Sequence, residues 1–132
     1  MENQVLSIEQ MKRLIELGVN TSKASLFWCV VETKGCLPFL ILTDRVDCLE
    51  LVPTFTLQDM LAIMPKEIEF KVDRYRKPVD CTLQIDAASD CIYYEYTAWG
   101  EFECAKYFGD SDNLLEAVYY MLSWLAEHKY LK

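Results

Sequence analysis

Glycine and proline are scarce in this chain, four of each in 132 residues, which excludes collagen-like and low-complexity order. The glycines, at 18, 35, 100 and 109, lie too far apart for a P-loop or a dinucleotide fingerprint. Histidine occurs once, as His128, and no local nucleophile signature accompanies it. No Cys-x-x-Cys pair is present among Cys29, Cys36, Cys48, Cys81, Cys91 and Cys104, so zinc-ribbon and thioredoxin-like chemistry are excluded. No apolar run approaches the roughly 18 residues of a membrane span. The opening MENQVLSIEQ lacks the basic and apolar regions of a signal peptide. Six reduced thiols in a cytoplasmic protein are therefore expected, with no cofactor and no metal.

Positive charge is also in short supply. Thirteen Lys and Arg stand against 21 Asp and Glu, a net charge of −8. Such a field opposes a polyanion, so nucleic acid is an unfavoured partner. The same charge permits the opposite role, an acidic decoy that occupies a basic partner, although the acids are spread along the chain. What is abundant is apolar: 52% hydrophobic and 13% aromatic residues, enough for one packed domain over 1–132.

Three helices are marked by their ends. Ser7 with Gln10 forms a capping box, and Gly18 offers a left-handed stop after which Val19 folds back onto Leu14, so a helix is predicted from Ile8 to about Leu17. Thr56 with Asp59 opens a second, Leu57 to about Met64, ended by Pro65, with Pro53 marking the turn into it. Asn113 with Glu116 opens a third, running to about His128. Between them the alternation predicts strands at 24–32, 37–42 (an edge or bulged strand, because of Pro38), 48–52, 67–73, 79–86, 91–99 and 101–108. The order α-β-β-(β)-α-β-β-β-β-α, with short connections, predicts an α+β domain with an antiparallel sheet and three helices.

Few constellations suggest chemistry. Glu101 and Glu103 share one face of a strand and could form an acid–base or metal pair, though a solvated face explains them equally well. Asp110-Ser111-Asp112-Asn113 begins like a calcium loop but has Leu115 where the loop needs glycine, so a helix start is the better account. Lys71, Arg74, Tyr75, Arg76 and Lys77 interleave basic groups with an aromatic ring, as a phosphate grip or as a solvated hairpin loop. In the strand ending Tyr93-Tyr94-Glu95-Tyr96-Thr97-Ala98-Trp99 the aromatics fall on both faces. One face must be core, and the other is either a recognition surface, with Tyr93 and Trp99 as candidates, or a face covered by a helix. On the last helix Leu114, Val118, Met121, Leu122 and Leu125 form a core stripe. Tyr120 and Trp124 widen it, so that flank is either wrapped by the chain itself or set against a protein partner or second copy.

The stretch from Val52 to Leu61 (VPTFTLQDML), with Met64-Pro65-Lys66, resembles small proteins of gut Bacteroidetes and their phages, and Leu114 to Ala117 with Met121 to Trp124 is similar to the same group. The resemblance implies a bacterial or prophage cytoplasmic protein and carries no activity. Taken together, the residues point to a non-enzymatic protein-binding or self-associating module, possible homodimers included. A small enzyme with a cleft carboxylate or thiol is the alternative, and a nucleic-acid accessory protein acting through residues 71–77 is a weaker one.

Overall fold

The computed structural model describes residues 4–31, 35, 37–42, 49–71, 77–109 and 113–131. Its elements follow the expected order: α1 (Ile8–Glu16), β1 (Leu26–Val30), β2 (Phe39–Ile41), β3 (Glu50–Thr54), α2 (Leu57–Ile63), β4 (Glu67–Phe70), β5 (Val79–Asp86), β6 (Cys91–Ala98), β7 (Glu101–Phe108) and α3 (Leu114–Glu127). All strand pairs are antiparallel, so the fold is α+β. The strands fall into two sheets, β2-β1-β3 and β4-β5-β6-β7. The helix α2 lies between β3 and β4 in the chain, and each strand pairs within its own set. The chain correspondingly divides into two compact units, Met1–Ala62 and Ile63–Lys132.

In the first unit α1 is held at both ends. Ser7 and Gln10 exchange hydrogen bonds of 2.9 and 3.1 Å, and Gly18, at φ +88°, allows Val19 N–H to reach Leu14 O at 3.0 Å. Met11 and Leu14 are buried from this helix, as are Leu6 and Phe55 of the same unit. The Leu6 carbonyl accepts from both the Trp28 indole (2.8 Å) and the Thr54 hydroxyl (2.7 Å), which ties the segment before α1 to β1 and β3. Pro53 lies inside β3 rather than in the turn after it. An edge strand tolerates a residue without N–H.

Asp59 caps α2 and anchors β1. Its carboxylate accepts from Thr56 N–H (3.0 Å), Ser25 N–H (3.1 Å) and the Ser25 hydroxyl (2.6 Å). Burial raises its pKa, but these bonds from Ser25 and Thr56 outweigh it and the net shift is downward.

In the second unit α3 packs on β6 and β7. Asn113 caps it through Glu116 N–H at 2.9 Å. Its core stripe, Val118, Met121, Leu122 and Leu125, is fully buried, as are Ile92 and Tyr94 of the sheet. The Tyr94 hydroxyl donates to Pro65 O at 2.6 Å, and burial raises its pKa. Trp124 is buried among its own unit, its ring 5.9 Å from Phe70 and 5.2 Å from Tyr130.

Candidate functional site

The open face of the second sheet is built by register. Inward positions carry Ile68 and Phe70, Cys81 and Leu83, Tyr94 and Tyr96, with Lys106 and Phe108. The outward positions are then Glu67 and Glu69 on β4, Asp80, Thr82 and Gln84 on β5, Tyr93, Glu95 and Thr97 on β6, and Phe102, Cys104 and Tyr107 on β7. Phe102 and Tyr107 are five apart, so simple alternation would place them on opposite faces. A bulge opposite Tyr94/Glu95 shifts the register by one and brings both outward.

This face has two halves. Toward β7 it is aromatic: Phe102 is 75% exposed, and the Tyr93 and Tyr107 rings stack at 6.4 Å. Toward β4 it is acidic: Glu69 stands directly across from Asp80, and Thr82 lies between Glu67 and Glu95 in a row over three strands. Desolvation, followed by the neighbouring Glu95 carboxylate, pushes the Tyr93 phenol above its ordinary 10.0. A hollow of about 270 Å³ lies here, lined by Asp80, Thr82, Gln84, Glu95, Tyr96, Thr97 and Phe102.

At the tip of the hairpin formed by β6 and β7 stand Trp99 (φ +56°) and Gly100 (φ +79°), a two-residue loop with positive φ at both positions. Glycine and asparagine suit such a loop; a bulky side chain there is strained. Trp99 is nonetheless 91% exposed, so it returns no packing.

The other candidates gather differently. Trp124 belongs to the interior, which internal wrapping explains. Tyr120 stacks on Phe108 at 6.2 Å and donates to Glu116 at 3.2 Å. Arg74, Tyr75 and Arg76 lie outside the described residues, as do Cys36, Cys48, Asp110 and Asp112. Glu103 accepts from the Tyr96 hydroxyl at 2.8 Å, which explains it structurally. His128 lies at the end of α3 with Nδ1 2.9 Å from Trp124 O. Burial raises the Cys81 and Cys104 thiols, the wrong direction for a nucleophile. No disulfide joins Cys29, Cys81, Cys91 and Cys104, and no metal-binding group of three or more side chains is found among the described residues. Among the described residues no helix is long and apolar enough to cross a membrane.

The first unit adds a feature the sequence did not reveal, an open groove of about 500 Å³ lined by Ser7, Ile8, Glu9, Lys12, Trp28, Leu37 and Pro38. Its polar groups are largely engaged: Ser7 in the capping box, the Trp28 indole on Leu6, and Lys12 on Glu50 at 3.2 Å.

No protein family, curated protein or solved structure matches the chain.

Proposed function

We propose that the chain is a protein-binding module that docks its partner on the outward face of the second sheet, with Trp99 as the anchor. The observation that carries this reading is the exposed tryptophan in a left-handed position. Backbone strain without packing return is a mark of a functional position. Tryptophan and tyrosine are the side chains that most often dominate protein interfaces. Phe102 stands on the outward face next to the Trp99 loop, opposite Thr97, and Tyr93 and Tyr107 stack farther along the same two strands. The resemblance of Val52 to Leu61 and Leu114 to Trp124 to proteins of gut Bacteroidetes and their phages supports a bacterial or prophage cytoplasm as the setting, and cysteines without disulfide spacing agree with it.

The test places a photo-crosslinking amino acid at position 99 in cells of the source organism. A control places it at Ala88, an exposed residue in the β5–β6 turn. A discrete cross-linked protein at 99 that is missing at 88 supports the reading. The same pattern from both positions contradicts it.

A further inference from the structure

We infer that the partner segment is cationic: an extended stretch of protein carrying arginine or lysine at alternate positions, laid across the outward face. This rests on the docking reading above and adds the chemistry of the partner.

Four outward carboxylates, Glu67, Glu69, Asp80 and Glu95, lie on three neighbouring strands. No Lys, Arg or His occupies the outward strand positions named above. The described lysines nearest Glu69 and Asp80 along the chain, Lys71 and Lys77, are exposed beyond the ends of β4 and β5 with no ion pair to either carboxylate. The one lysine of β7, Lys106, is turned to the other face, 5.1 Å from the Phe108 ring and 5.6 Å from the Trp124 ring. Like charges directly opposite one another destabilise a sheet. Glu69 and Asp80 are such a pair, in a chain already carrying −8. An occupant bearing cations removes that repulsion.

The geometry suits guanidinium groups in particular. A carboxylate accepts two parallel N–H bonds from arginine, and an aromatic ring offers its face to the same planar cation. The hollow presents both, with Asp80 and Glu95 on one side and Phe102 on the other. Residues alternate every second position along an extended chain, so every other side chain of a laid-on segment meets the sheet. A second copy would set the same carboxylates against these, and a nucleic acid would bring more negative charge. Charge complementarity therefore selects a basic protein segment.

The test titrates a nine-residue peptide of arginine alternating with serine into the full chain, at about physiological ionic strength. The comparison peptide has citrulline in place of every arginine. Two double variants remove the same net charge: Glu69→Gln with Asp80→Asn on the face, and Glu9→Gln with Glu16→Gln on α1. The arginine peptide is expected to bind and the citrulline peptide to lose that binding. The face variant should weaken it about tenfold, and the α1 variant should stay within about twofold. Equal weakening by both variants would reveal diffuse attraction to net charge and overturn the inference. So would absence of arginine-peptide binding, or a concentration-dependent dimer in light scattering that Glu69→Gln with Asp80→Asn abolishes. Cross-links at position 99 that persist while the arginine peptide fails would leave the docking reading standing and remove only the cationic partner.

Discussion

Glu69 on β4 and Asp80 on β5 face each other directly in antiparallel register, two carboxylates on the open side of one sheet. Neither gains from the other, and Asp80 lines the same hollow as the exposed Phe102. That combination opposes stability and favours a ligand of opposite charge, and it gives the proposed docking surface a measurable signature.

The first consequence is a gain in stability when the pair is broken. Glu69→Gln should stabilise the protein by about 0.2–1 kcal/mol in chemical denaturation at low salt, and the gain should shrink as salt is raised. A loss of stability at low salt would mean that Glu69 has a favourable partner.

Trp99 should behave likewise. Trp99→Asn places a residue that suits the positive φ of the loop, and the folded state should gain about 1 kcal/mol. Trp28 and Trp124 are both 8% exposed against 91% for Trp99, so the same change should remove the long-wavelength, readily quenched part of the tryptophan emission. An unchanged spectrum would place Trp99 in a protected environment.

Much of the scaffold was legible. The Ser7–Gln10 and Asn113–Glu116 caps, the Gly18 stop and the Thr56–Asp59 start all lie within a few residues of sequence, so the local rules that encode them act without tertiary context. Of the proposed docking surface, Tyr93 and Trp99 were legible as exposed-face candidates, and the rest was not, for two physical reasons. The acids at 67, 69, 80 and 95 are spread along the chain, and only strand register gathers them on one face. Phe102 and Tyr107 share that face through a bulge, and period-two alternation contains no trace of it. The Trp124 flank failed to declare itself for another reason: a wide apolar arc looks the same whether a neighbouring chain or the protein's own Phe70 and Tyr130 cover it.

Burial of Trp124 separates those two cases. Trp124→Glu should destabilise the protein by about 3 kcal/mol or more, because it opens a cavity and buries a charge. A folded variant of near-normal stability would return Trp124 to the surface.

Asp59 provides a pH signature. Its pKa is lowered below the ordinary 3.8 in the folded state, so its contribution is fully present above that value. It is lost as the pH falls through 3.8 and below. Asp59→Ala should cost about 1 kcal/mol at neutral pH, as loss of a helix cap does, and the difference from the parent protein should narrow in acid. A difference that stays constant down to pH 2 would show that the carboxylate charge is immaterial.

The most direct measurement is an amide chemical-shift map of the isotope-labelled protein during titration with the alternating arginine peptide. The shifts should centre on β4 to β7 at Glu69, Asp80, Glu95 and Phe102, together with the Trp99 indole N–H, while the Trp28 indole stays in place. Shifts centred on the α1 groove, or scattered evenly over every acidic residue, would contradict a cation-binding face on the second sheet.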